Sequence, residues 1–157
     1  MGKRIFHVLL IIVVGFLVYS NTFHVPFHFD DAPNIVENYK LRDMKNFWPP
    51  SSSRWFGFLT FALNYYFGGL NATGYHIVNL TIHILNAILV YLLVILTFKA
   101  PFFSNQQSVV SNQQEQTLVH PFTYLPLFIA LIFVAHPIQT QAVTYIVQRF
   151  TSLATMF

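Results

Sequence analysis

The sequence contains no cysteine and few charged residues, with five acidic residues and eight lysines or arginines among 157. The absence of cysteine excludes disulfide bonds and cysteine-ligated metal sites. The basic residues are scattered and form no stripe, so the pattern gives no indication of nucleic-acid binding. Hydrophobic residues make up 55% of the chain and aromatic residues 18%. A composition this apolar is typical of a membrane protein rather than of a soluble domain.

Four apolar runs predict the transmembrane architecture. A span needs about 20 apolar residues, because each helical residue adds about 1.5 Å. Lys3 and Arg4 precede the first run, and no small-residue cleavage site follows it, so we interpret it as an uncleaved span rather than a signal peptide. We expect spans over about 5–22, 75–98 and 122–135, and an incomplete span over 138–157.

The segments between these runs differ in composition. Residues 23–74 form a long loop with most of the charged side chains and several prolines, which exclude one continuous helix. Within it, residues 54–67 are apolar but too short to cross, which indicates an interfacial or re-entrant helix. Residues 99–120 include a Gln/Asn/Ser-rich tract, predicted to be a flexible connector.

The predicted fold class is therefore all-α: a polytopic helical membrane protein fragment with three to four transmembrane helices and one interfacial or re-entrant helix. The last apolar run still has a helical pattern at Phe157, so we expect the chain to be the N-terminal part of a larger protein.

The orientation follows from the basic residues next to the first span. Lys3 and Arg4 favour a cytoplasmic N-terminus. The four basic residues of the 23–74 loop oppose this assignment, but they lie mostly beyond the immediate flank of the span. With the N-terminus inside, the 23–74 loop, the start of the second span and His136 share the extracytoplasmic face, and the 99–120 connector is cytoplasmic.

Polar residues recur along the second span at steps of three, four and three: His76, Asn79, His83 and Asn86. This spacing puts them on one helix face, which must contact protein or a wet cavity rather than lipid. Interhelical hydrogen bonding is one interpretation. A metal site is disfavoured, because His76 and His83 are about 10 Å apart along the helix axis.

Three further polar groups attract attention for their chemistry. Asp30 and Asp31 are adjacent carboxylates at a membrane boundary, able to take a proton, bind a cation, or remain solvated as turn formers. Arg149 lies in an apolar run, where it either snorkels to water or pairs with an anion such as phosphate. Under the chosen topology these groups and His136 can converge at one face.

Several strings in the chain form a recognisable set: Phe29-Asp30-Asp31, Ser52-Ser53-Arg54, Tyr75-His76-Ile77-Val78-Asn79 and His136-Pro137-Ile138-Gln139-Thr140-Gln141-Ala142-Val143-Thr144-Tyr145-Ile146-Val147-Gln148-Arg149. This set resembles the membrane half of the transmembrane and tetratricopeptide-repeat family, which are multi-pass GT-C-type glycosyltransferases. No 34-residue helical repeat is present, so the soluble half of that family is missing and the fragment alone is expected to be inactive.

The resemblance implies transfer of a sugar, often mannose, from a polyprenyl-phosphate carrier to a protein hydroxyl at the extracytoplasmic face. It implies that Asp30 or Asp31 is the catalytic residue, since a carboxylate can take the proton of the attacking hydroxyl. A cation can stabilise the leaving phosphate. The residues that the resemblance makes candidates for lipid-phosphate or sugar binding are Arg149, His136, Arg54 and His76.

No metal ligand is assigned, although a divalent cation beside Asp30 and Asp31 is considered. The expected partners are the polyprenyl-phosphate-linked sugar donor, a protein acceptor and the lipid bilayer, without nucleic acid. The expected location is a bacterial inner membrane or the endoplasmic reticulum. A transporter or channel module is an alternative, but it predicts acids within spans, whereas these acids lie in loops. A non-catalytic membrane scaffold is the third class.

Overall fold

The computed structural model describes residues 2–100 and 124–157. The described residues are helical and contain no strand, which confirms the predicted all-α class. Most of the 99–120 connector and the start of the predicted span over 122–135 lie outside the described residues. The helices are α1 (Gly2–Val18), α2 (Trp55–Gly68), α3 (Ala72–Lys99), α4 (Leu125–Ala135), α5 (Thr140–Thr144) and α6 (Arg149–Met156).

Short 3-10 or π turns connect these helices. They lie at Ser20–His24, Ala32–Val36, Tyr39–Arg42, Met44–Phe47, Pro137–Gln139 and Ile146–Gln148. The first four belong to the long loop between α1 and α2, where the prolines prevent a continuous helix, as predicted.

Helix α3 is the centre of the packing, and α1, α4, α5 and α6 all contact it. It begins at a polar cap, because the side chain of Asn71 accepts a hydrogen bond from the backbone N–H of Thr73 at 3.1 Å. Its last turn carries Lys99, where a cation interacts favourably with the helix dipole. With 28 residues, it is the one described helix that alone is long and apolar enough to cross a membrane.

A second candidate span is bent. α4 and Pro137–Thr144 meet the same length and hydropathy criteria together, with a bend of 48° between them. α1 has 17 residues, fewer than the roughly 20 that a straight span needs. The described residues therefore contain one or two candidate spans, and the predicted three to four are not confirmed.

The predicted helix over 138–157 is divided into four short helical pieces. Tyr145 adopts an extended conformation, with φ −88° and ψ 106°, between α5 and the next turn. The side-chain amide of Asn79 donates to the backbone carbonyls of Val143 and Ile146, at 3.4 and 3.2 Å. The interruption is tolerated because α3 supplies donors to carbonyls that a continuous helix would have paired internally.

Glycine brings α1 close to its neighbours. A Cβ on Gly15 would lie 2.9 Å from Cγ1 of Ile84 and 3.3 Å from Cγ2 of Val134. The missing side chain therefore lets the α1 backbone approach both α3 and α4, as small residues do at membrane helix contacts. Near the start of α1, Nδ1 of His7 hydrogen-bonds the hydroxyl of Tyr91 at 2.9 Å.

Helix α2 packs on the long loop rather than among the long helices. Its buried residues Phe61 and Ala62 share a cluster with Tyr75 and with loop residues such as Ile35 and Leu41. The helix has 14 residues and ends at Gly69, whose φ is 58°. Its length fits the predicted interfacial or re-entrant helix, while its placement relative to a bilayer stays a prediction.

Candidate functional site

Asp30 and Asp31 lie in a tight turn directly before the π turn at Ala32–Val36. The backbone N–H of Asp31 donates to the carbonyl of His28 at 2.9 Å, which closes the turn. Phe29 has φ 45°, the one positive φ among the described non-glycine residues. The turn points the two acidic side chains in different directions: Asp31 is 1% exposed, whereas Asp30 is exposed.

The carboxylate of Asp31 accepts hydrogen bonds from two separate backbone segments. Its Oδ2 accepts a hydrogen bond from the backbone N–H of His28 at 3.0 Å, and its Oδ1 accepts one from Val147 at 2.8 Å. Val147 lies in the turn directly before α6, so this carboxylate joins the first loop to the distal helical segment. Hydrogen bonds to an ionised acceptor are about twice as strong as neutral ones, so the link is a firm one.

Asp30 combines a held backbone with a free side chain. Its N–H donates to the hydroxyl of Tyr145 at 3.1 Å, and its carbonyl accepts from the side chain of Asn34 at 2.8 Å. Within residues 2–100 and 124–157, no group donates a hydrogen bond to its carboxylate. This arrangement presents a carboxylate to solvent from a fixed position, as a residue that contacts substrate requires.

The loop before this turn is tied down from two sides. Nε2 of His76 hydrogen-bonds the carbonyl of Val25 at 2.8 Å. Because a carbonyl only accepts, Nε2 carries the proton. The hydroxyls of Thr22 and Thr144 are 3.1 Å apart and share a hydrogen bond. Both α3 and α5 therefore fix the segment that leads to Asp30.

Arg149 is completely buried, with 0% of its surface exposed. Its guanidinium donates to four acceptors: Oδ1 of Asn79 at 2.7 Å, Oδ1 of Asn64 at 2.7 Å, Oγ1 of Thr60 at 3.3 Å and the backbone carbonyl of Tyr75 at 3.0 Å. These acceptors are neutral and come from α2 and α3. Arg149 itself begins α6, so one side chain joins three helices.

Two aromatic rings complete the surroundings of this cation. The guanidinium carbon lies 4.5 Å from the ring centre of Phe61 and 5.7 Å from that of Tyr75, which are cation–π distances. Arg149 lies outside the candidate spans, and burial lowers its pKa to about 9. The side chain therefore remains charged near neutral pH and depends on these dipoles and rings for its stabilisation.

The polar stripe of α3 faces protein, as the interhelical interpretation predicts. His83 and Asn86 hydrogen-bond the backbone carbonyls of Val134 and Ser152, at 3.2 and 2.9 Å. Asn79 and His76, described above, do the same toward other segments. The prediction of interhelical hydrogen bonds is confirmed for Asn79, His83 and Asn86, whereas His76 bonds a carbonyl of the loop.

His136 and Arg54 are exposed and lie elsewhere. Nδ1 of His136 accepts a hydrogen bond from the backbone N–H of Ile138 at 3.2 Å, which caps the turn before α5. The guanidinium of Arg54 lies 5.5 Å from the ring centre of Phe150. In the described part of the chain, no contact joins either side chain to the acidic turn. The binding roles of Arg149, His136, Arg54 and His76 stay predictions.

The donor set fits a metal ion poorly. The residues that the structure describes contain no group of three or more His, Asp or Glu side chains placed to hold a metal. Both oxygens of Asp31 already accept backbone N–H groups, so Asp30 is the one open ligand of the pair. The cation considered beside these two acids would find no third His, Asp or Glu ligand among the described residues.

Sequence reasoning assigned no role to Phe29, Tyr145 or Val147, which shape the acidic turn. The contribution of Val147 is a backbone N–H, which side-chain patterns cannot reveal. A usable signal did exist at residues 143–147, where β-branched and aromatic side chains follow one another. Such a run disfavours a helix, and it marks the place where the chain is extended.

Comparison with known proteins adds to this geometry. Mouse protein O-mannosyl-transferase TMTC4 is 30% identical over 166 residues, which cover 93% of this chain and 21% of that protein. Xenopus laevis protein O-mannosyl-transferase tmtc2 is 31% identical over 157 residues, covering 90% and 16%. The human TMTC3 enzyme is 29% identical over 164 residues, covering 94% and 15%.

The chain is similar in sequence to these three TMTC proteins. It spans about a fifth or less of the length of these TMTC relatives. No protein-family profile matches the chain, and no solved structure matches it. The similarity covers most of the chain and supports the resemblance drawn from the motifs.

Proposed function

We propose that this chain is the N-terminal portion of a polyprenyl-phosphate-sugar-dependent glycosyltransferase that moves a sugar to a protein hydroxyl. The names of its homologues support protein O-mannosyl transfer, which requires a sugar donor and a protein acceptor. The structural observation that carries the proposal is Asp30, a solvent-facing carboxylate that receives no hydrogen bond from the described residues, on a backbone fixed by Tyr145 and Asn34. The reaction takes place at the extracytoplasmic face of the membrane.

Asp30 is the general base in this proposal. As the acceptor hydroxyl oxygen attacks C1 of the sugar, its proton passes to a carboxylate oxygen of Asp30. The bond between C1 and the phosphate oxygen breaks, and the electron pair leaves with the polyprenyl phosphate. Asp31 is a positioning residue, because both of its oxygens are engaged by backbone N–H groups.

Arg54 is the exposed arginine among the candidate residues for the lipid phosphate. It is exposed, and it lines a groove of about 650 Å³ whose other walls are mostly apolar, among them Phe56, Phe150 and Phe157. A polyprenyl phosphate needs both a cation for its head and an apolar surface for its chain. Arg149 is buried with its donors already engaged, so we assign it the role of holding α2, α3 and α6 together.

The decisive test is Asp30→Asn in the full-length protein. Labelled sugar transfer from polyprenyl-phosphate mannose to the acceptor protein should fall by about 100-fold or more in kcat, the range for losing a general base. Glu37→Gln is the matched control, since Glu37 is an exposed acid of the same loop, and its kcat should match the wild type. An Asp30→Asn protein within twofold of wild-type kcat would overturn the assignment.

The transporter alternative gains no support from the structure. The polar residues of α3 that were candidates for lining a path are buried and engaged by backbone carbonyls. Asp30, the acid with a free carboxylate, lies in a loop rather than within a candidate span.

A further inference from the structure

Phe29 is held in an unfavourable backbone conformation with its ring in solvent. Its φ is 45°, and 87% of the side chain is exposed. A left-handed conformation costs an L-residue about 1–2 kcal/mol, and an exposed apolar ring gains nothing from the hydrophobic effect. Local strain of this kind is concentrated at ligand-contacting positions.

The ring has two ring neighbours, His28 and Tyr145, and the ring centres of His28 and Phe29 are 6.4 Å apart at an interplanar angle of 44°. The ring centres of Phe29 and Tyr145 are 6.5 Å apart at an interplanar angle of 84°, an edge-to-face pair. The hydroxyl of Tyr145 accepts a hydrogen bond from the backbone N–H of Asp30 at 3.1 Å. Two consecutive residues of the turn therefore carry an exposed aromatic ring and an exposed carboxylate, and Tyr145 contacts the ring of the first and hydrogen-bonds the backbone of the second.

This pairing matches the chemistry of a hexose. A pyranose ring has an apolar face of C–H groups, which packs well on an exposed aromatic ring, and a polar rim of hydroxyls. Packing on Phe29 would place that rim and C1 next to the carboxylate of Asp30. Burying the Phe29 ring under a sugar also supplies the apolar contact that the free turn lacks.

We propose that Phe29, supported by Tyr145, forms the platform for the sugar ring of the donor and sets its position relative to Asp30. This inference rests on the proposed function and specifies which end of the donor the acidic turn contacts. Phe29 is then a substrate-binding residue rather than a membrane anchor.

The test measures donor KM and kcat for Phe29→Leu and Phe29→Trp in the full-length protein, with polyprenyl-phosphate mannose as donor. Leu keeps apolar bulk but loses the flat ring, so donor KM should rise about five- to tenfold, the equivalent of a lost aromatic contact. Trp keeps a flat ring, so its donor KM should stay within twofold of wild type. Phe67→Leu is the control, because Phe67 is 82% exposed on α2, and it should change nothing.

A competition assay separates contact with the sugar from contact with the lipid. Polyprenyl phosphate without sugar should inhibit the wild type and Phe29→Leu with the same inhibition constant. If Phe29→Leu lost the same factor of affinity for the sugar-free lipid as for the donor, Phe29 would contact the lipid rather than the sugar, and the proposal would be overturned. An unchanged donor KM in Phe29→Leu would overturn it as well.

Phe29→Gly distinguishes binding from folding. Glycine accepts φ 45° without strain, so the Tm should equal or exceed that of the wild type while donor KM rises as in Phe29→Leu. A fall in both Tm and affinity would show a structural role and overturn the proposal. The two proposals fail separately: full activity in Asp30→Asn overturns the proposed function, whereas an inactive Asp30→Asn with normal donor KM in Phe29→Leu overturns only this inference.

Discussion

Asp30 and Arg149 are charged residues with opposite surroundings in the same corner of the molecule. The carboxylate of Asp30 is exposed and receives no hydrogen bond from the described residues, whereas Arg149 is 0% exposed and donates to four acceptors. Only the link from Asp31 to Val147 and the backbone to Arg149 separates them. Arg149 stabilises the packing of the helices, whereas Asp30 is exposed on the loop that Asp31 joins to them. Stability and activity should therefore respond to different mutations.

The largest effect should come from Arg149→Met, which removes the buried cation and keeps a long apolar side chain. The amide oxygens of Asn79 and Asn64 and the carbonyl of Tyr75 would lose their donor. Leaving such buried groups unpaired should cost on the order of 3–5 kcal/mol of unfolding free energy. Thermal unfolding of the full-length protein in detergent measures the loss.

Arg54→Met is the matched control for that experiment. Its guanidinium is exposed and touches only the ring of Phe150 at 5.5 Å, so the change in stability should stay within about 0.5 kcal/mol. If the two arginine variants unfolded at the same temperature, the inference that Arg149 stabilises the fold and Arg54 does not would be contradicted.

Gly57→Ala probes the contact between α2 and α6 that Arg149 also bridges. The new Cβ would lie 2.3 Å from Cδ1 and Cε1 of Phe150, so the ring or the helix must move. Overpacking of this kind costs about 1–3 kcal/mol. Gly68→Ala on the same helix meets nothing within 4 Å and should be neutral or stabilising. Equal destabilisation of both variants would contradict the close approach of α2 and α6.

The finest comparison is between the adjacent acids. Asp31→Asn leaves one acceptor oxygen where two backbone N–H groups donate, so one of the donors on His28 or Val147 loses its partner. The expected cost is about 1–2 kcal/mol. Asp30→Asn should change the unfolding free energy by less than about 0.5 kcal/mol, because none of residues 2–100 and 124–157 donates a hydrogen bond to its carboxylate. Equal stability losses for both would remove the distinction between the two acids.

Several features could be predicted because they depend on spacing along one element. The three-four-three spacing from His76 to Asn86 placed four polar groups on one face of α3, and the structure pairs all of them with other segments. The long apolar run of α3 likewise predicted a helix able to cross a membrane. The spacing of residues within one helix predicts their contacts correctly when the rest of the chain packs on that helix face.

Other features depend on groups that are far apart in sequence. The break at Tyr145 is stabilised by the amide of Asn79 on α3, and hydropathy alone suggested one helix through residues 138–157. The apolar run predicts that Arg149 either snorkels to water or pairs with an anion, whereas the structure surrounds it with neutral acceptors from α2 and α3. The pattern within residues 138–157 gives no indication of those acceptors, because they lie on α2 and α3.

The sequence by itself determined the helical class and the polar face of α3, and it predicted the acidic pair as a candidate site. Hydrophobic period and composition decide such features, because they act within one element. Only the tertiary structure distinguished the surroundings of Asp30 from those of Asp31. Two neighbouring residues of identical type differ only in the groups that contact them. The backbone N–H of Val147, more than a hundred residues away, donates to Asp31, and Asp30 is left open to solvent.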